Sequence, residues 1–138
     1  MGHRHERRVR NRLLAAHADL LVATGDRADA VARARSGPAT RREDVVEPLT
    51  AALERADLLE RYPAVLATAA AALGESLPVA PVAAPPYVVV TGTGPVLRAS
   101  LPSGRLVVRL AVFALERDPR RYVRTGTTPD EILEIERR

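Results

Sequence analysis

An α+β domain is predicted, with an N-terminal layer of three or four helices packed on a small antiparallel sheet of three to four strands. Three observations predict it. Through residues 1–76 the apolar positions recur at three and four, the period of amphipathic helices. Residues 77–86 (LPVAPVAAPP) cannot continue a helix and read as an extended, Pro-rich connector. From residue 87 to 138, Val, Leu and Tyr come in blocks separated by Gly-Pro and Pro-Ser-Gly turns, which is hairpin chemistry. The 138 residues make one domain, large enough to bury a core without metals or disulfides.

The first helix is expected over His3–Thr24, on the stripe Val9, Leu13, Leu14, His17, Leu20 and Leu21, with Gly25 as its C-terminal cap. Asp26 then caps a weak second helix, Arg27–Arg35, stopped by Ser36-Gly37-Pro38. Thr40 and Glu43 have capping-box spacing. Val45, Val46, Leu49, Leu53, Ala56 and Leu59 carry a helix on to Tyr62, with a kink or late start at Pro48. Pro63 opens a last, Ala-rich helix that Gly74 ends at Leu73.

Strands are expected at Tyr87–Thr91, Val96–Leu101 and Arg105–Glu116. Two signals compete over the second hairpin. A turn at Pro102-Ser103-Gly104 pairs Leu101 with Arg105. The apolar pattern instead sets Leu101, Ala99 and Leu97 opposite Leu106, Val108 and Leu110, and burial decides for it. Arg98 and Arg109 then lie opposite each other on the second face, beside Val107, Phe113 and Leu115. A strand apolar on both sides is central or covered. Arg120–Arg124 reads as an edge strand, and Thr128-Pro129-Asp130-Glu131 as one helical turn running into a short strand.

Composition narrows the function. Aromatic residues make up 3% of the chain, so small and branched side chains build the core. Cysteine is absent, which removes disulfides, thiolate catalysis and thiolate metal sites. No apolar run has the length of a membrane span, and no membrane partner is expected. The N-terminus lacks the pattern of a secretion signal, so a cytoplasmic setting is expected. Every basic residue is Arg. Residues 1–12 hold five of them against one Glu, which accounts for the whole net charge of +4.

The motifs with chemical promise are few. Gly92-Thr93-Gly94 lacks the third glycine and the following helix of a phosphate loop, and reads as a hairpin turn. His3 and His5 lie near a terminus expected to fray, and His17 lies well along the helix with no acidic partner at ligand spacing, so no metal and no cofactor is expected. No serine or threonine sits on a nucleophile-type turn, and pairs such as Asp57 and Glu60 have the spacing of a solvated helix face. The chain is expected to be no enzyme.

Two surfaces remain. Arg4, Arg7, Arg8, Arg10 and Arg12 place cations at a helix N-terminus, where they oppose the helix dipole. An anionic partner such as nucleic acid would stabilise them through phosphate contacts without reading bases. The second surface is the outer sheet face of Arg98, Val107, Arg109, Phe113 and Leu115, a candidate for protein partners or a second copy of the chain. A non-catalytic interaction or self-association domain is the first expectation, and a nucleic-acid-associated protein the alternative.

The runs Pro85-Pro86-Tyr87-Val88-Val89-Val90-Thr91, Gly94-Pro95-Val96-Leu97-Arg98-Ala99 and Gly104-Arg105-Leu106-Val107-Val108 carry a resemblance that takes in the C-terminal third. They resemble small uncharacterised proteins of halophilic archaea. The resemblance implies a helical half followed by a sheet, and brings no activity and no functional residue.

Overall fold

The computed structural model describes residues 2–138, with side chains from Arg4 onward. Four helices precede the connector: α1 (Gly2–Ala16), α2 (Ala18–Arg33), α3 (Glu43–Arg55) and α4 (Tyr62–Ala72). After it come β1 (Val88–Thr91), β2 (Gly94–Leu101), β3 (Gly104–Leu110), β4 (Phe113–Arg117), β5 (Arg120–Arg124), a one-turn helix α5 (Pro129–Ile132) and β6 (Leu133–Arg137). An antiparallel sheet runs in the order β1-β2-β3-β6, while β4 and β5 form a separate two-stranded sheet. The fold is α+β.

The first helix breaks earlier than its periodicity suggests. His17 departs from helical geometry at φ −129° and ψ 25°, and its Nε2 lies 2.8 Å from Thr68 Oγ1 on α4. Backbone bonds bridge the bend from His17 to Leu13 (2.8 Å) and from Leu21 to His17 (3.0 Å). The bend splits the expected His3–Thr24 helix in two, and α1 packs mainly on α4 while α2 packs on α3. Gly25 is not a cap, because α2 runs straight through it. A Cβ there would meet Arg124 Nη2 at 3.2 Å, so its glycine keeps room for a guanidinium.

Two further helix signals are corrected. The carboxylate that turns back at the start of α3 is that of Asp44, which accepts from the backbone N–H of Arg41 (3.1 Å) and Thr40 (3.3 Å). Thr40 and Glu43 form no capping box. The expected run to Tyr62 stops at Arg55, where Asp57 adopts a left-handed φ of 58° and Leu58 N–H reaches back to Leu53 C=O (3.0 Å). Asp tolerates that conformation better than most residues. Pro48 sits inside α3 without ending it. The last helix closes as expected, with Gly74 at φ 73° and Glu75 N–H bonded to Ala70 C=O (3.0 Å).

In the sheet, Leu101 pairs with Gly104, Ala99 with Leu106 and Leu97 with Val108. The observed register is shifted by two residues from the one the apolar pattern selects, because Pro102-Ser103 is a two-residue loop. A shift of two keeps every side chain on its expected face. Leu97, Ala99, Leu101, Leu106, Val108 and Leu110 accordingly form one buried face, packed with residues from the helices. Burying a side chain such as Leu97 or Leu106 is worth about 1.5–3 kcal/mol.

The expected long strand Arg105–Glu116 does not form. It breaks at Ala111-Val112, where Val112 and Phe113 N–H both turn to Thr93 C=O (2.9 and 3.0 Å). The chain leaves the first sheet there, and Phe113 is buried in the core at 4% exposure. The turn into a short strand at 129–137 forms as read, with the Thr128–Glu131 capping box in place.

Candidate functional site

The site begins with two prolines. In the register of β1 on β2, Val88 faces Leu97, so Tyr87, Pro86 and Pro85 are the residues in line with Arg98, Ala99 and Ser100. Arg98 N–H does donate to Tyr87 C=O (2.9 Å). Beyond that the ladder cannot grow. Pro85 and Pro86 have no N–H, and the N–H groups of Tyr87 and Val88 turn back to Ala84 C=O (3.0 and 3.1 Å).

The other side of β2 gives Ser100 no partner either. Arg105, which faces Ser100, exchanges both of its backbone bonds with Arg138 (2.8 Å each) and so points away from β2. The N–H and C=O of Ser100 therefore point to the open side of β2, where among the described residues they have no partner. There the connector leaves a cavity of about 370 Å³. Leu77, Pro78, Val79 and Pro86 form one wall, and Tyr87, Arg98, Ala99, Ser100 and Arg105 the other. Arg98 and Arg105 are exposed, and among the described residues neither makes an ion pair. Val79 and Val82 in the connector are two of the large apolar residues left more than half exposed.

The ends of this groove are held by a polar cluster. Glu75 accepts from Ser103 N–H (3.1 Å) and Ser103 Oγ (2.5 Å), and pairs with Arg137 at 3.4 Å. Arg137 also meets His5 Nδ1 at 3.1 Å. Glu75 lies two residues before the connector wall and Ser103 two residues after β2, so the cluster fixes one wall against the other. The Ser103 hydroxyl holds the Glu75 carboxyl below the usual carboxylate range. His5 faces the Arg137 guanidinium, and the Ser103 hydroxyl is bonded to the Glu75 carboxylate.

The residues singled out by sequence fare unevenly. Arg98, Val107 and Arg109 share the outer face of the sheet, whereas Phe113 and Leu115 lie on the second sheet. Arg98 faces Val107, and Arg109 faces Val96, so the two arginines are not opposite each other. Val107 is only 2% exposed between Arg98 and Glu136, its neighbours on either strand. The Arg109–Glu136 pair (3.5 Å) covers the same face with polar groups and their stems. The expected apolar face is therefore absent, because the strand turns away at Val112 and takes Phe113 into the core.

On α1, Arg4, Arg7, Arg8 and Arg12 are exposed. Arg10 is engaged instead, with Nη1 2.9 Å from Asp130 O and 3.2 Å from Asp130 Oδ1, and ties α1 to α5. His17 is bonded to Thr68, and burial together with Arg61 lowers its pKa. The His3 side chain lies outside the described residues. Among those residues no three His, Asp or Glu side chains converge as metal ligands. No described helix is long and apolar enough to cross a membrane. Sequence reading missed Ser100, Tyr87 and the connector wall. The signal was there in Pro85-Pro86, a pair without N–H donors placed directly before a strand.

The family model described as Domain of unknown function (DUF7988) matches residues 7–138. The chain belongs to this family. The match runs through both the helical half and the sheet half. No curated protein and no solved structure matches the chain.

Proposed function

We propose that this DUF7988 domain is a non-catalytic protein-interaction domain that takes up a short extended segment of a partner along the open part of β2. One observation carries the reading. A strand edge with unpaired N–H and C=O groups at Ser100 faces an apolar-walled cavity of about 370 Å³. Main-chain bonding to an exposed edge supplies affinity, and flanking pockets supply selection. A cysteine-free chain fits a cytoplasmic setting.

The test exploits the unused N–H. Ser100→Pro removes a donor that the fold does not use, so the domain should melt as wild type does. A display library of random hexapeptides should yield binders to the wild-type domain that Ser100→Pro fails to retain. Binders held equally by both proteins, or none at all, would remove the proposal.

A second reading rests on α1. Arg4, Arg8 and Arg12 recur every four residues on one exposed side, with Arg7 beside them, and among the described residues none has an acidic partner. Such a stripe suits phosphates along a nucleic-acid backbone. It predicts binding to double-stranded DNA or RNA that weakens with salt. Changing all four to Gln should flatten the log–log salt slope by about one unit for each phosphate no longer neutralised. An unchanged slope would leave the stripe as a solvated surface.

A further inference from the structure

We infer that the open edge receives the C-terminal end of a partner chain, an apolar tail whose terminal carboxylate is held by Arg98. The inference rests on the strand-edge reading above and concerns which segment can occupy it. The first argument is steric. A strand laid beside Ser100 and running antiparallel to β2 travels toward Arg98, and there it meets Tyr87, whose C=O is already bonded to Arg98 N–H (2.9 Å). The place beyond belongs to β1. A chain passing through has nowhere to go, whereas a chain that ends there fits.

Charge then selects which end. The cavity is lined by two cations, Arg98 and Arg105, and by no acidic side chain. Arg98 sits in line with Tyr87, at the blocked end. A terminal ammonium would be repelled at that point, and a carboxylate would gain charge-assisted bonds to a planar donor fork. The partner's penultimate residue would exchange both backbone bonds with Ser100, as in a narrow antiparallel pair. Its last side chain would meet Pro78, Val79 and Pro86, which explains the demand for an apolar tail.

The test uses fluorescein-labelled hexapeptide pools randomised over Ala, Val, Leu and Thr, read by anisotropy. One pool has a free C-terminal carboxylate, one a C-terminal amide, and one an amide with a single internal Glu. The free-acid pool should bind at least about tenfold more tightly than either amide, the factor of one charge-assisted bond. Arg98→Gln should bring the acid pool to the level of the amide, and Ser100→Pro should abolish binding of all pools.

Equal binding of acid and amide, with loss in Ser100→Pro, would overturn the terminal carboxylate and leave the strand-edge reading standing. Recovery by the internal Glu would likewise overturn the chain end. Absence of binding by every pool, or binding indifferent to Ser100→Pro, would overturn both. Should Ser100→Pro lower the melting temperature, exchange of the Ser100 amide proton in the wild-type protein decides instead. It slows on adding the free-acid pool if the edge is used, and its failure to slow ends the proposal.

Discussion

The phenolic oxygen of Tyr62 lies 2.7 Å from Oγ1 of Thr24, and both side chains are fully buried. Thr24 gives its single proton to Leu20 C=O (2.8 Å), so Tyr62 is the donor between them. The bond joins α2 to the first residue of α4, and burial holds the Tyr62 phenol far above its usual pKa. Tyr62→Phe should cost about 1 kcal/mol in urea unfolding. Thr24→Val should cost about 1–3 kcal/mol, because it leaves a buried phenol without an acceptor. The double variant should lose less than the two costs added.

Arg124 is the second internal tie. It donates to Val112 O (3.0 Å), Gly126 O (2.8 Å) and Thr125 O, and pairs with Asp29 at 2.8 Å. Lysine carries the charge without the planar fork. Arg124→Lys should therefore destabilise by about 2 kcal/mol, read as a lower urea midpoint at unchanged m-value.

Gly94 closes the first hairpin at φ 136°, and a Cβ there would stand 2.0 Å from Leu110 O. Gly94→Ala should cost about 2–4 kcal/mol, since both the backbone and its neighbour must shift. Gly37 has nothing within 4 Å of the same position. Gly37→Ala should stay within about 0.5 kcal/mol of wild type in the same thermal melts.

His17 gives a pH signature. Its folded pKa is lowered, first by burial and then by Arg61, so the neutral ring favours the folded state. The contribution is full above the unfolded pKa of about 6.5 and is lost as pH falls through the lower folded value. Asp44, Glu75, Glu131 and Glu136 are lowered as well, so their contributions fade only in the carboxylate range, below about pH 4. Urea midpoints should fall from pH 7.5 to 5 in the wild type. In His17→Gln that part of the fall should be missing.

Periodicity revealed the layers, the connector and which side of β2 and β3 is buried, because a face depends only on alternate residues. It could not reveal where elements stop when the cause lies elsewhere in the chain. Gly25 reads as a cap until Arg124, ninety-nine residues away, is seen above it. His17 sits on the apolar stripe, and its bond to Thr68, fifty-one residues away, accompanies the bend there. The break at Val112 depends on Thr93 C=O taking two N–H groups, and nothing local announces it. The groove was legible in part. Pro85-Pro86 signals a stunted strand, but the orientation of Ser100 follows from Arg105 bonding to Arg138 rather than to β2.

The brevity of that unpaired rim has one more effect. Fibril growth needs several consecutive residues of free backbone, laid flat and uncharged, for each incoming molecule to copy. Here the bare stretch is a couple of residues, fenced by prolines at one end, a tight loop at the other and guanidinium groups alongside. That rim should therefore offer a guest its foothold without serving as a template for fibril growth.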